Sequence, residues 1–419
     1  MKKTGWTGGQ YSLFRVLFGS YLLVHFAHLL PWASELFSYH GMLPDAEASP
    51  LLNLFPSVLR LTDSPLALDV LLLSAVMAAV AFMIGWRDKL AAVWMWYVQA
   101  CLFTRNPLIA NPALPYVGWM LLAHLLIPGR PYGSLASRDR ENPAGEWFMP
   151  RAIFIAGTVV LGISYSYSGY TKLLSPSWVE GQTLAYVLEN PLARDWFLRD
   201  LFLQLPAGIL SGITWFILYV ELLYAPLLLI RCLRPWLWLG MLMVQFGFLF
   251  LLNFPDLTIA MILFHLFTFD PEWLVNRKEN GGHVFYDGNC GLCHRVVRFV
   301  LAEDSGEAFR FAPLDSAAFR SVIAEEVRNT LPDTFVILTS HNKVLVRSDA
   351  VIYLLRSLGG MWILAAILLA CIPKPLRDLG YQMIGRHRLK FFSRPEDTCP
   401  LMPQKMKRRF ITHDNAEST

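Results

Sequence analysis

Up to Phe269 the chain alternates apolar stretches, each about the length of a bilayer crossing, with short polar loops. A crossing needs roughly 20 residues. Stretches of this kind fall near 12–31, 66–85, 90–106, 113–128, 151–170, 208–230, 235–252 and 256–270. The third and fourth are short, so a re-entrant pair is an alternative there. Beyond Asp270 the period changes. His283 to Asp287 reads as a strand, and Cys293, Val296, Val297, Val300 and Leu301 recur behind it at helical spacing. A strand is predicted at 309–313, a helix at 315–328, a hairpin joining Phe335–Leu338 to Val344–Val346, and a helix from Ser348 to Gly359. The expected architecture is a polytopic α-helical membrane domain of about eight spans (1–275), a polar linker (276–282), a C-terminal α/β domain (283–404) and a basic tail (405–419).

Composition supports that division. Hydrophobic residues make up 55% of the chain and charged residues 16%, against about 25% charged in a soluble domain. Lys2 and Lys3 followed by an apolar run from Leu13 read as an uncleaved first span. Basic residues then alternate with the spans. Arg87, Lys89, Arg130, Arg231 and Arg234 fall in one set of loops, while the other set is diluted by Glu35, Asp45, Glu180, Asp195 and Asp200. By the positive-inside rule both termini are cytoplasmic, in a multi-pass protein of a bacterial inner membrane. Lys405, Lys407, Arg408 and Arg409 lack interleaved aromatics, so they read as solvated charge near lipid and not as a nucleic-acid surface. Arg386, Arg388 and Lys390 are expected to face lipid phosphates.

Ionisable residues inside spans are costly and mark candidate sites. Arg15 either snorkels to the surface or forms an internal ion pair. His25 and His28, at i and i+3, lack a third metal ligand and suit interhelical hydrogen bonds. Glu221 lies deep in the sixth span, with Tyr side chains, Arg15 or Lys172 as possible partners. The densest polar passage is SYSYSGYTKLLSPSWVEG (164–181), which places Ser164, Ser168 and Lys172 on one helical face beside Tyr165. Lys172 is a candidate base, or an interfacial lysine within an aromatic belt.

That passage resembles the segment of vitamin K-dependent γ-carboxylases that carries their active-site lysine, matched here by Lys172. With LFRVLFGSYLL (13–23), GMLP (41–44), RNP (105–107) and ELLYAPLLL (221–229), the resemblance widens to the HTTM membrane proteins and covers roughly residues 10–275. It implies the membrane fold. The carboxylases have Asn-His where this chain has Asn106-Pro107, and His-x-x-Asn where it offers Gln245. A propeptide-binding or lumenal domain after the eighth span is also missing, so the resemblance does not carry over carboxylation.

The most specific chemistry is Asp287-x-x-Cys290-x-x-Cys293. A dithiol between a first strand and the following helix occupies the redox position of a thioredoxin-like fold, and the element order fits that fold. Cys290 would attack from the helix N-terminus and Cys293 would resolve the mixed disulfide. Asp287 either carries the proton of the resolving thiol or caps the turn. Zinc, completed by His283, His294 or Cys399, and an inert pair are the alternative readings. YDGNCGLC, FRFAPLDS, RSDAVIYLLRSLGG, IPKPLRD and PEDTCPLMP together resemble the DCC family of thiol-disulfide oxidoreductases over about 283–403. Cys399 is structural or a third redox thiol, and Cys101 and Cys232 are inert members of spans.

The function expected is dithiol exchange on the cytoplasmic face, with a protein or a small-molecule thiol or disulfide as partner. No cofactor is firmly implied. A quinone bound by the membrane domain and reduced by the dithiol is one way to couple the halves. The rival reading is a non-catalytic maturation or transport factor that uses Lys172 and Glu221, with an adaptor or metal-binding C-terminal module. Nothing in the sequence speaks to oligomeric state.

Overall fold

A computed structural model describes residues 5–51, 53–109, 111–137, 147–274, 281–288, 290–331, 335–391 and 408–411. They form two compact units. One comprises Leu13–Pro128 and Pro150–Phe269; the other comprises the described residues within Met1–Ser12, Gly129–Met149 and Asp270–Thr419.

The first unit is helical. A helix occupies each of the eight apolar stretches: Gly8–Leu29, Pro65–Ile84, Asp88–Arg105, Leu114–Leu126, Arg151–Leu173, Ala207–Leu222, Arg234–Leu251 and Pro255–Phe267. Ser64 caps the second of these by accepting from the Ala67 amide, with Pro65 at its first position. Among the described residues four helical stretches are long and apolar enough to cross a membrane: Gly8–Phe37, Pro65–Ile84, Arg151–Leu173 and Arg234–Leu251. Phe197–Leu203 with Ala207–Leu222, bent by 107°, makes a fifth if it counts as one span. Leu114–Leu126 and Pro255–Phe267 have 13 residues each. At 1.5 Å per residue such helices reach only about 20 Å, less than the hydrocarbon thickness. The run predicted at 208–230 breaks after Leu222, because Pro226 cannot continue the helical hydrogen bonding; a separate turn covers Tyr224–Leu227. The outer faces stay apolar, with Leu66 74%, Met77 72% and Trp236 70% exposed. Apolar surface on this scale is suited to lipid or to a protein partner.

The second unit holds a four-stranded mixed sheet in the order β2-β1-β3-β4. Strand β1 is Gly282–Tyr286, β2 Phe309–Pro313, β3 Val336–Thr339 and β4 Val344–Val346. Strands β1 and β2 run parallel, joined through the helix Gly291–Glu303; β3 is antiparallel to β1 and β4 to β3. Period-2 alternation sorts the strands onto two faces. Val284, Tyr286, Phe309, Phe311 and Ile337 pack with Val297, Val300 and Leu301 of that helix and with Ala350, Tyr353 and Leu354 of the helix Arg347–Leu358. Phe285, Ala312, Val336 and Leu338 pack on the other face with Phe319 and Ile323. The helix expected at 315–328 is two short ones, Ala317–Val322 and Glu325–Arg328. Gly281 and Gly282 lead into β1 with φ of +70° and +142°, and a Cβ at either would strike a backbone carbonyl, of Ala308 or Leu338. Only glycine suits that entry.

Glu303 ends the helix behind the dithiol and is 2% exposed. It accepts from the Thr7 hydroxyl, from the Gly9 amide at 2.7 Å and from Trp362 Nε1 at 2.8 Å. The Gly9 amide belongs to the first turn of the helix Gly8–Leu29, whose unpaired N–H groups suit an anion. Burial pushes the Glu303 carboxyl up, while these donors pull the other way. In the tail Arg409 differs from the solvated reading, while Arg408 is exposed and Lys405 and Lys407 lie outside the described residues. Arg409 is 4% exposed and pairs with Asp304 at 2.5 Å, and Phe311 exchanges backbone hydrogen bonds with Arg409 and Ile411. Residues 409–411 thus satisfy the free edge of β2.

Glu303→Ala leaves three donors without their acceptor and is expected to destabilise this unit by about 3 kcal/mol or more. Glu303→Gln keeps an acceptor oxygen and should cost less. Thermal unfolding of the full chain in detergent, followed by proteolysis of the C-terminal part, checks both.

Candidate functional site

The turn between β1 and the helix Gly291–Glu303 assembles the dithiol. Cys290 is the helix N-cap residue, in extended conformation, and its amide donates to the Asp287 carbonyl at 3.2 Å. The His294 amide closes the first helical turn on the Cys290 carbonyl at 3.1 Å. His294 Nε2 donates back to the Gly288 carbonyl at 2.8 Å, and Tyr286 sets its ring edge against the imidazole. Local sequence therefore closes the loop on itself, and both cysteines fall on the buried side of the helix.

The two thiols are free and lie close enough to influence each other's protonation. Burial and the Cys290 sulfur push the Cys293 thiol up to about 12; the Asp287 backbone amide lowers it and the Asp287 charge raises it. Asp287, Cys290 and Cys293 are thus one constellation. Both sulfurs are screened, with Cys290 at 0% and Cys293 at 7% exposure. Among the described residues no three His, Cys, Asp or Glu side chains are grouped to hold a metal. Cys399 lies outside the described residues.

A family profile for DCC1-like thiol-disulfide oxidoreductases matches residues 284–394, which include both cysteines and the helix behind them. The chain is 32% identical over 132 residues to the uncharacterized protein YuxK of Bacillus subtilis (strain 168), covering 30% of this chain and 92% of YuxK. Through its C-terminal part, the chain belongs to the DCC1-like thiol-disulfide oxidoreductase family. A chloroplastic DCC family protein of Arabidopsis thaliana is 27% identical over 118 residues, covering 28% of this chain and 68% of that protein. No solved structure matches the chain.

The DCC1-like match leaves the helical unit aside, and that unit has its own polar centres. Lys172 and Glu221 form an ion pair, and Lys172 Nζ also donates to Ser168 Oγ at 2.7 Å, one turn back. The Trp178 ring lies 5.1 Å from the ammonium. Gly169 lets the two helices meet this closely, since a Cβ there would run into the Leu222 backbone. Ser166 Oγ accepts from the Ala225 amide at 2.9 Å, just past the helix break. Tyr165, expected beside Lys172, instead bonds His265 at 2.6 Å and Gln245 at 2.9 Å. Arg15 is fully buried and pairs with Asp88 at 3.8 Å, which His124 approaches to 3.4 Å. It neither snorkels nor reaches Glu221. Cys232 sits exposed in a turn and not within a helix.

Sequence reasoning missed Asp88 and Asp256. Each is an acid in the first turn of its helix, a position that favours carboxylates and was legible. Their partners were not legible: Asp256 meets His25 across 231 residues of sequence.

The raised Cys293 pKa has a sign. A thiol held protonated by the fold favours the folded state below its ordinary value of 9.0, and that contribution is lost as pH rises toward about 12. Denaturant titrations of the reduced chain should show stability falling above pH about 9, and Cys293→Ser should flatten that slope. In the helical unit, Glu221→Ala strands a partly buried ammonium and should cost about 3–5 kcal/mol, while the double change Lys172→Met, Glu221→Met recovers most of it. Thermal melts in one detergent compare the three proteins.

Proposed function

We propose that the chain is a membrane-anchored dithiol–disulfide exchange protein, with Cys290 as nucleophile, Cys293 as resolving thiol and Asp287 as proton carrier. The observation that carries this reading is the pair of free thiols one helical turn apart at a helix N-terminus, with Cys293 held protonated by burial. The strand order and the placement of the pair after β1 support a thioredoxin-like fold for this unit. Unpaired amides at the helix start stabilise negative charge, so the sulfur at the N-cap is the one suited to attack.

In the first step the Cys290 thiolate attacks one sulfur of a substrate disulfide. The substrate S–S bond breaks, a mixed disulfide forms, and the departing thiolate takes a proton. In the second step Cys293 gives its proton to the Asp287 carboxylate and attacks the Cys290 sulfur. The mixed disulfide breaks, the second substrate sulfur leaves as a thiolate that takes the proton from Asp287, and Cys290–Cys293 becomes a disulfide. Two electrons pass from the dithiol to the substrate. Because Cys290 is buried, its sulfur must become exposed before a disulfide can reach it.

The alternation of basic loops supports a cytoplasmic position for this dithiol and for both termini, in a bacterial inner membrane. A dithiol there is kept reduced and acts as a donor. The helical unit is HTTM-like in this reading. Lys172 and Glu221, each in one of the short segments that carry the resemblance, are ion-paired in the fold. An ion pair uses the ammonium form of Lys172, which favours a positioning role over that of a free base.

Cys290→Ser should abolish reduction of a small aryl disulfide by the purified full chain. Cys293→Ser should accumulate the mixed disulfide, seen as a mass adduct on Cys290. Asp287→Asn should slow resolution about 10²-fold, in line with loss of a positioned proton carrier. Normal turnover by Cys290→Ser would remove the assignment. In the reduced wild type both cysteines should alkylate more slowly than exposed Cys371, as mass spectrometry of a time course reads.

A further inference from the structure

The helical unit contains a cavity of about 310 Å³ that none of the chemistry above uses. His25 and Asp256 lie on its wall, with His25 Nδ1 2.8 Å from Asp256 Oδ1. Since a carboxylate oxygen only accepts, Nδ1 carries the hydrogen and Nε2 is left as the acceptor. The pairing is locked from behind. Asn111 Oδ1 accepts from the Ala113 amide at 2.8 Å, which turns its Nδ2 to donate to Asp256 Oδ2 at 2.5 Å. Tyr21 stacks on the imidazole with ring centroids 5.8 Å apart. The dyad is thereby held in one tautomer and one orientation, as a positioned base requires.

A second observation points to a ligand. Gln99 also lines the cavity; its Nε2 donates to the Leu114 carbonyl at 2.7 Å, but its Oε1 is buried with no hydrogen-bond partner among the described residues. A buried acceptor left unpaired is unfavourable unless a bound molecule donates to it. The remaining wall is largely apolar and partly aromatic, with Phe37 and Phe103. Val24, Phe103 and Ile259 belong to both the cavity wall and the exposed apolar surface of the unit, so the cavity is reachable from hydrocarbon. A cavity this size holds one compact ring system.

We infer that this cavity is a binding site for a membrane-soluble phenol, an apolar ring whose hydroxyl donates to His25 Nε2. An apolar ring matches the walls, and its one hydroxyl hydrogen matches the His25 Nε2 acceptor, while Gln99 Oε1 marks the same cavity as one built to receive a donor. An acidic hydroxyl also suits an imidazole backed by a carboxylate. If the proton transfers, the O–H bond breaks and an Nε2–H bond forms, and Asp256 stabilises the resulting imidazolium. Asn111 and Asp256 are positioning residues, since they act through His25.

The probe is 2-naphthol, with its methyl ether as control, in equilibrium dialysis against the full chain in nanodiscs and against empty nanodiscs. Saturable one-site binding of naphthol above partition is expected. The ether should bind about tenfold more weakly, the effect of one good hydrogen bond. His25→Ala should lose a similar factor for naphthol and none for the ether, and Asn111→Ala should lose less. Partition only, or ether binding as tight as naphthol, overturns the proposal. So does unchanged naphthol binding by His25→Ala. The wild-type comparison of naphthol with ether decides the matter even where the variant fails to fold.

Discussion

A charge removed from water must find a partner, and in this protein the partners determine which elements touch. Lys172–Glu221 joins the helix Arg151–Leu173 to Ala207–Leu222, and Arg15–Asp88 joins Gly8–Leu29 to Asp88–Arg105. Arg105 is held by Asp63 and by the Leu43 carbonyl, both at 2.9 Å, ahead of the helix Pro65–Ile84. Where such helices lie in hydrocarbon, apolar packing alone does little to select neighbours, because lipid tails are as apolar as leucine. Paired charges select them strongly, since every wrong register leaves an ion unpaired at a cost of several kcal/mol. The C-terminal unit applies the same rule with Glu303 and with Asp304–Arg409. There the partners come from opposite ends of the chain.

The dithiol depends on that rule indirectly. Helix Gly291–Glu303 carries Cys290 and Cys293 at its start and Glu303 at its end, so the contacts that fix Glu303 also fix the axis along which the cysteines are presented. Asp304, the next residue, takes the Phe309 amide at 3.0 Å and the Arg409 guanidinium, which anchors the start of β2 beside β1. The sulfurs at one end of a helix are thus positioned by buried carboxylates at the other.

Much of this was legible in the sequence, and the limits are physical. Period-2 alternation in GHVFY and FRFAP and helical spacing from Cys293 to Leu301 are local signals, and the strands and helix stand where they indicate. The ion pairs are a different matter. Glu221 had three candidate partners by composition, and only the close approach permitted at Gly169 selects Lys172. Arg409 looked like one of several solvated basic residues, because nothing local shows that β2 has a free edge awaiting residues 409–411. Helix length misled as well: an apolar run counts residues, whereas Pro226 decides where the hydrogen bonds stop.

Burial of both sulfurs turns the site's accessibility into part of its chemistry. For a dithiol that exchanges as proposed, the observed rate is the intrinsic rate multiplied by the fraction of time the Cys290 sulfur is exposed. Each 1.4 kcal/mol needed for exposure lowers that rate about tenfold for a substrate that does not assist it. A substrate that binds the exposed form recovers part of that factor, because its contacts exist only in that form. The hydrogen bond from His294 Nε2 to the Gly288 carbonyl ties the first turn of the helix back to the end of β1, which holds the helix start, and with it Cys290, against the core. Burial of both sulfurs also shields the thiols from incidental oxidation.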